Sequence, residues 1–317
     1  MTRKLFSMLL CAFALLLLMG AGTAPEQTTA ILAEEESAVR SALETELQST
    51  DKASSQAVPA AAGASPLALA ELTESGLLID GAYAPAEVAL SNQKGVSYVA
   101  LSTMAQALDE TAKVSWDGAT ATVTTAKLNL TAKVGQLYLV ANGRYLYLPE
   151  KVQQADGRVI VPLWAVVEAF DAKMSWDAAN GVVNVTRGSG AIQFGDSYYN
   201  QDQLFWLSRV ITAESGNQPL EGQMAVGNVV MNRVASPKYP NTVKGVLAQK
   251  NQFTTYQGGK LANRTPNASS IIAAKLVLDG GVVEETEGAL FFNSASGTWV
   301  SRNKECVAVI GGHKFYR

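Results

Sequence analysis

Cysteine and histidine are almost absent from this 317-residue chain, which holds Cys11, Cys306 and a single histidine, His313. Cys11 lies in a leader segment described below. The remainder then carries one thiol, so neither an intramolecular disulfide nor a zinc site built on paired cysteines can form. A Ser-His-Asp triad would have to use His313, and no Gly-x-Ser-x-Gly elbow is present. A Cys306–His313 nucleophilic pair is disfavoured too. The two lie seven positions apart on a strand-rich tail, with no helix N-terminus to activate the thiol. A phosphate-cradling Gly loop and a dinucleotide fingerprint are missing, so no cofactor is expected. Beyond the N-terminal segment, no apolar run is long enough to span a membrane. Charged residues make up 17% of the chain and hydrophobic ones 48%, which supports a packed core and excludes global disorder. The mild charge offers no support for nucleic-acid binding.

The charge that is present is unevenly placed. Residues 25–75 hold nine acids and two bases, a balance of −7, and residues 76–199 balance at −2. Residues 200–317 hold eight acids and twelve bases, a balance of +4. A basic C-terminal region suits an anionic target such as a cell wall, and is equally the pattern of an ordinary solvated surface.

Four segments follow from composition and pattern. Arg3 and Lys4 precede the uncharged run Leu5–Met19, and Gly22-Thr23-Ala24 supplies small residues at a cleavage site. This order predicts a secretory signal over 1–24 and an exported product. Residues 25–75 read as an acidic stretch followed by an Ala/Ser/Pro-rich linker. Residues 76–187 contain an internal repeat of about 60 residues. Leu77-Leu-Ile-Asp-Gly81 echoes Leu139-Val-Ala-Asn-Gly143, and Gly95-Val-Ser-Tyr-Val-Ala-Leu101 echoes Gly157-Arg-Val-Ile-Val-Pro-Leu163. Lys113-Val-Ser-Trp-Asp117 echoes Lys173-Met-Ser-Trp-Asp177. Each unit reads as a strand and hairpin, one short amphipathic helix, and a Trp-Asp turn into a further strand. Trp116 and Trp176 are expected to cap the small core of each unit rather than to serve as sugar platforms.

Residues 200–317 read as helices followed by strands, an α+β pattern. Helices are expected over 202–213, from Pro219 to the residues before Ser236-Pro237, over 242–249, and from Thr265-Pro266 to Asp279. The second of these carries the apolar stripe Leu220, Met224, Gly227, Met231 and Val234. Strands are expected over 289–293, 307–310 and 314–316.

Glu214 ends the first of these helices. Leu204, Leu207, Ser208 and Ile211 recur at helical spacing, and Glu214 falls roughly 60–80° from the centre of that stripe. A carboxyl at the border of core and solvent is expected to favour its protonated form. Such a group can donate a proton to a glycosidic oxygen. A two-carboxylate glycosidase needs a second acid roughly 5–10 Å away. Glu221 is the candidate, although its place in the first turn of a helix also suits capping. Gln252, Phe253, Tyr256, Asn293 and Trp299 are candidate substrate-binding residues, because amides orient sugar hydroxyls and aromatics stack on pyranose faces. The phenylalanines 253, 291 and 292 read equally well as core. His313 reads first as a structural hydrogen-bonder. Arg233 and Arg302 are candidates for a peptide carboxylate or for pairing with acids.

The repeat region resembles the copper amine oxidase N-terminal-like stalk domain, on its Gly-x-x-x-Val-Pro-Leu and Trp-Asp elements. That resemblance implies spacing or attachment at the wall surface. With His313 as the lone histidine, no copper site can be assembled in the repeats. The C-terminal 115 residues or so resemble the spore cortex-lytic cell wall hydrolase family. The motifs are Thr212-Ala-Glu-Ser-Gly216, Leu220-Glu-Gly-Gln-Met-Ala-Val226, Val229-Val-Met-Asn-Arg-Val234 and Tyr239-Pro-Asn-Thr-Val243. Gln252-Phe253, Ala289-Leu-Phe-Phe-Asn293 and Gly312-His-Lys-Phe-Tyr316 continue the match in order. The resemblance implies a lysozyme/transglycosylase-like α+β catalytic domain over 200–317 and cleavage of the peptidoglycan glycan strand as a lytic transglycosylase. Its catalytic glutamate falls on Glu214. Two positions depart from the family pattern: Asn217 stands where an acid is common, and Ser294 where a proline is. The other readings are a true hydrolysing muramidase or glucosaminidase, and a non-catalytic wall-binding or scaffolding protein.

Overall fold

Two-residue hairpin turns organise the first half of the computed structural model, which describes residues 76–250 and 252–317. The expected leader and linker lie outside the described residues. Strands β1 (Leu77–Ile79) and β2 (Ala82–Tyr83) join through Asp80-Gly81. Both turn residues take positive φ, 50° and 82°, the backbone a tight antiparallel hairpin requires. β3 (Ser91–Gln93) and β4 (Val96–Ala100) follow, and β4 runs directly into α1 (Leu101–Leu108). Leu101, Met104, Ala105 and Leu108 of α1 are buried, at i, i+3, i+4 and i+7. β5 (Lys113–Trp116), β6 (Thr120–Thr124) and β7 (Asn129–Lys133) lead to the second copy. There β8 (Tyr138–Ala141) and β9 (Arg144–Tyr147) turn through Asn142-Gly143, again with both φ values positive. β10 (Gln153–Ala155), β11 (Arg158–Pro162), α2 (Leu163–Ala169), β12 (Lys173–Asp177) and β13 (Val182–Thr186) complete it.

The two copies interlock rather than fold side by side. The sheets run β12-β13-β1-β2, β10-β11-β4-β3 and β5-β6-β7-β8-β9, so each mixes strands of both copies. In the middle sheet β4 and β11 are antiparallel, with Val99 opposite its repeat-equivalent Val161 and Tyr98 opposite Pro162. That register gives the repeat a local two-fold relation. One shared core results, running from Leu77 through Met104, Leu130 and Val166 to Ile192. This sharing corrects the expectation for the repeat tryptophans. Trp116 and Trp176 sit on the edge strands β5 and β12, and they are 45% and 63% exposed. No separate unit core exists for them to cap.

From residue 195 the chain is mainly helical. α3 (Gly195–Tyr198), α4 (Gln201–Ser215), α5 (Leu220–Ala235), α6 (Val243–Leu247) and α7 (Ala268–Leu278) come first. β14 (Phe291–Asn293), α8 (Trp299–Asn303), β15 (Cys306–Ile310) and β16 (His313–Tyr316) follow. The three strands form an antiparallel sheet in the order β14-β16-β15. Side-chain oxygens of Asn200, Thr242, Asn267 and Thr298 cap α4, α6, α7 and α8 by accepting from an amide three residues on. The one-sided stripe expected on α5 is replaced by burial on all sides from Gly222 to Val230. The cause is its central position: α4, α6, α7 and β14 all pack against it. The short helix α8 interrupts a stretch that reads as turns and strands in the sequence, where five residues are too few to show a helical period.

The repeat region meets the helices through β9, which packs on α7. Gly281 permits the close approach, because a Cβ there would lie 2.8 Å from the Tyr147 Cβ and 2.8 Å from the Leu276 carbonyl oxygen. Arg144 on β9 forks onto Asp279, the residue that ends α7, with Nε donating at 3.0 Å and Nη2 to the other oxygen. The Asp279 side chain is fully enclosed. Its second support is the Tyr199 hydroxyl, which donates to Oδ2 at 2.9 Å and accepts from the Tyr145 amide at 2.8 Å. Arg144→Ala leaves that carboxylate buried without its cation, an expected loss of about 3 kcal/mol. Urea denaturation measures it. Replacing both partners with Arg144→Met and Asp279→Leu is expected to recover much of the loss.

Candidate active site

The end of α4 and the start of α7 hold each other, and Glu214 sits at that junction. Asn267 does three things there. Its Oδ1 accepts from the Ser270 amide at 2.8 Å, capping α7. Its Nδ2 donates to the Gly216 carbonyl oxygen at 3.0 Å. Its backbone amide donates to the Thr212 hydroxyl at 3.2 Å. Gly216 is needed for this approach, since a Cβ would meet the Thr212 carbonyl oxygen at 2.7 Å. Beneath the junction, the buried Gln223 of α5 bonds Ser269 and Ser270 of α7 and the Gln218 carbonyl oxygen.

Glu214 is half-buried, and Thr255 donates its hydroxyl proton to Glu214 Oε1 at 2.8 Å. That contact fixes one carboxyl oxygen and leaves the other free of protein donors among the described residues. The carboxyl lines a cavity of about 310 Å³ together with Arg233, Gln252, Phe253, Asn293 and His313. Phe291, Phe292, Ser294, Ala295 and Val300 complete the wall. Glu214 is the one carboxylate among these lining residues.

Of the residues singled out in the sequence, Glu214, Gln252, Phe253 and Asn293 meet in this cavity. Asn293 is held by its neighbours: its Nδ2 donates to Thr298 Oγ1 at 2.9 Å, and its Oδ1 accepts from the Tyr316 hydroxyl at 3.3 Å. Phe253 is almost fully buried, so it shapes the floor more than it offers a stacking face. Glu221, Tyr256 and Trp299 are not among the lining residues. Glu221 stands in the first turn of α5, where its charge acts on Tyr147 of the repeat region. Tyr256 packs on Trp206, with ring centroids 5.5 Å apart. Trp299 opens α8 and is 61% exposed.

Two groups weigh more in the cavity than their sequence context suggests. His313 is buried against Phe292 and Phe315, with ring centroids 5.5 and 6.4 Å away. Its Nδ1 is sealed from solvent and has no hydrogen-bond partner among the described residues. Burial lowers the pKa of the ring, and the negative charge of Glu214 acts in the opposite sense. Arg233 is 4% exposed, and burial lowers its pKa too. Thr255 completes the set, and no sequence signal marks it beyond its closeness to Gln252-Phe253. A second cavity, of about 440 Å³, lies in the repeat region between the ends of α1 and α2 and residues 187–190. Among the described residues, no group of three or more His, Cys, Asp and Glu side chains could hold a metal ion.

Comparison with known proteins gives two family matches. Residues 217–316 match the Cell Wall Hydrolase family. Residues 78–185 match the copper amine oxidase N-terminal domain. The first match begins three residues after Glu214. A spore cortex-lytic enzyme of Bacillus cereus is 33% identical over 121 residues, 37% of this chain and 45% of that enzyme. Its counterpart from Bacillus subtilis is 29% identical over 119 residues, 37% of this chain and 38% of that enzyme. This chain therefore spans less than half the length of these curated relatives. Among solved structures, the catalytic domain of the germination-specific lytic transglycosylase SleB from Bacillus anthracis is 29% identical, with a TM-score of 0.35. It is covered completely by 40% of this chain. The SleB catalytic domain of Bacillus cereus is 28% identical, also with a TM-score of 0.35, over 41% of this chain. The C-terminal region thus has homologues among the spore cortex-lytic enzymes, and the repeat region is similar to the copper amine oxidase N-terminal domain.

His313 gives stability a pH dependence whose sign is fixed. The folded ring binds its proton less tightly than a free histidine, so unfolding takes up protons below about pH 6.5. The contribution is complete above that pH and declines as pH falls through it toward the lowered folded value. His313→Gln is expected to flatten the fall in urea midpoint between about pH 7 and 5. An unchanged slope would show that other groups carry it.

Proposed function

We propose that this chain is an exported peptidoglycan-degrading enzyme that cleaves the glycan strand as a lytic transglycosylase, with Glu214 as its acid and base. The observation that carries this reading is a half-buried carboxyl on a cavity wall that offers amide, aromatic and cationic partners but no second carboxylate. A two-carboxylate hydrolase needs its second acid within roughly 10 Å, facing the same cleft. Glu221, the sequence candidate for that role, is not among the residues lining the cavity. A one-carboxylate mechanism fits the lining residues better.

The proton inventory balances with Glu214 alone. The protonated carboxyl gives its proton to the glycosidic oxygen as the bond from C1 to that oxygen breaks. The C6 hydroxyl of the same muramic residue then bonds to C1, and its proton passes to the Glu214 carboxylate. The product is a 1,6-anhydro end, and the carboxyl is reset. Thr255 holds one carboxyl oxygen in place throughout, leaving the other for the sugar. Gln252 and Asn293 are placed to orient hydroxyl and N-acetyl groups.

The relatives named spore cortex-lytic enzymes support the substrate class. The N-terminal leader pattern supports export, and no helix among the described residues is long and apolar enough to cross a membrane. The boundaries proposed are a signal over 1–24, a linker over 25–75, a stalk over 76–187 and a catalytic domain over 200–317. The stalk is proposed to set the catalytic domain at the wall surface. Mass spectrometry of digested vegetative and cortex sacculi is expected to show anhydro-muropeptides. Glu214→Gln is expected to cut their release by at least about a hundredfold, the size of a general acid–base contribution. Reducing ends in place of anhydro ends would establish hydrolysis. Retained wall binding without turnover in the parent protein would establish a binding role.

A further inference from the structure

Arg233 is buried without a counter-ion among the described residues. It lies in the last turn of α5, is 4% exposed, and lines the cavity that holds Glu214. Among the described residues no carboxylate forms an ion pair with it. Its guanidinium carries five N–H donors. The Nε–H is used, donating to the Leu290 carbonyl oxygen at 2.8 Å. The rings of Tyr239, Phe253 and Phe291 lie 5.3, 5.4 and 5.6 Å from its central carbon. They attract the charge but supply no acceptor for the remaining N–H groups. Neither Nη is both sealed from solvent and unpartnered, so the Nη edge opens to the cavity. The C-terminal end of α5 favours a cation at this position, yet a helix dipole offers the Nη groups no hydrogen bond either. A second cation, Lys304, stands 5.3 Å from the Phe291 ring. Enclosing a guanidinium is costly unless its charge and donors are met, and a planar fork matches a carboxylate best.

We propose that Arg233 forms an anion subsite beside Glu214 that takes a carboxylate of the peptide side chains carried by the glycan strand. The sugar backbone of peptidoglycan is uncharged once its amines are acetylated, so the carboxylates of the strand lie on its lactyl-linked peptides. Arg233 then reads the peptide-bearing side of the substrate while Glu214 acts on the sugar, and a bare chitin-like strand leaves the subsite empty. This assignment rests on the glycan-cleaving reading above.

The test pairs a substrate change with a residue change. Sacculi are used either native or with their carboxylates converted to methylamides by carbodiimide and methylamine. For the full chain, neutralisation is expected to lower kcat/KM at least about tenfold, the scale of a charge-assisted hydrogen bond, chiefly through KM. Arg233→Gln is expected to lose a similar factor on native sacculi and to respond little to neutralisation. Should Arg233→Gln fail to fold, Arg233→Lys serves instead: it keeps the charge and is expected to stay sensitive to neutralisation. Equal cleavage of both sacculi by the parent protein overturns the subsite. So does an Arg233→Gln protein that remains as sensitive as the parent, or a folded Arg233→Lys protein that does not respond. A parent protein that releases no anhydro ends from either substrate fails the glycan-cleaving reading instead, which keeps the two failures apart.

Discussion

The clasp of Asn267 around the end of α4 is the contact on which the rest of the site depends. It joins the last turn of one helix to the first turn of another, using the carbonyl and amide groups that helix ends leave without intrahelical partners. A glutamate in a frayed last turn would sample many positions. Here the chain on both sides of Glu214 is tied, at the Thr212 hydroxyl and the Gly216 carbonyl, and the side chain is tied again at Thr255. The buried Gln223 locks the same two helices from below. Preorganisation of this kind is what a single acid/base needs, because one group must meet a leaving oxygen and then a hydroxyl without a partner to share the work.

The fold was legible in the sequence where local chemistry dictates it. The helices α4, α5 and α7 appear with ends shifted by at most three residues, because caps and apolar spacing mark them. The hairpins appear because Asp-Gly and Asn-Gly pairs leave the backbone few other choices. What the sequence hides is exchange between the two copies. Each repeat reads the same whether its hairpin pairs at home or across the two-fold, since the side-chain pattern of a strand is identical in both cases. The tryptophans were misread for that reason: a residue that would cap a private core becomes an edge residue once the core is shared. Burial of α5 on every side was hidden too, because a central helix among short, small-residue turns shows little period.

The site was half legible. Glu214 stands out from the spacing of its helix and from the flanking motif, and Gln252, Phe253 and Asn293 come to it from one loop and one strand. Glu221, Tyr256 and Trp299 were singled out on residue type alone, and residue type says nothing of which face a side chain takes. Thr255 and His313 carry the opposite lesson. A threonine in a turn and a histidine opening a strand have ordinary contexts, and their closeness to Glu214 exists only after 41 residues of chain in one case and 99 in the other have been folded back.

Two of the buried guanidiniums, Arg144 and Arg233, are met in different ways. Arg144 meets a fully enclosed carboxylate with two of its donors, and a tyrosine hydroxyl completes that acceptor. Every group in that cluster answers another, and it lies where the repeat region and the helices join. Arg233 is as deeply enclosed, yet its charge faces three aromatic rings and its outer edge faces a cavity. A purely structural role would favour a neutral or paired side chain at such a position, since burial of an unpaired charge costs stability. The cost is understandable if the missing partner arrives with the substrate. His313 lines the same cavity, but its unpartnered Nδ1 is sealed from solvent and out of a ligand's reach. The unpaired charge of Arg233 shares a cavity with Glu214, where a ligand can supply its partner.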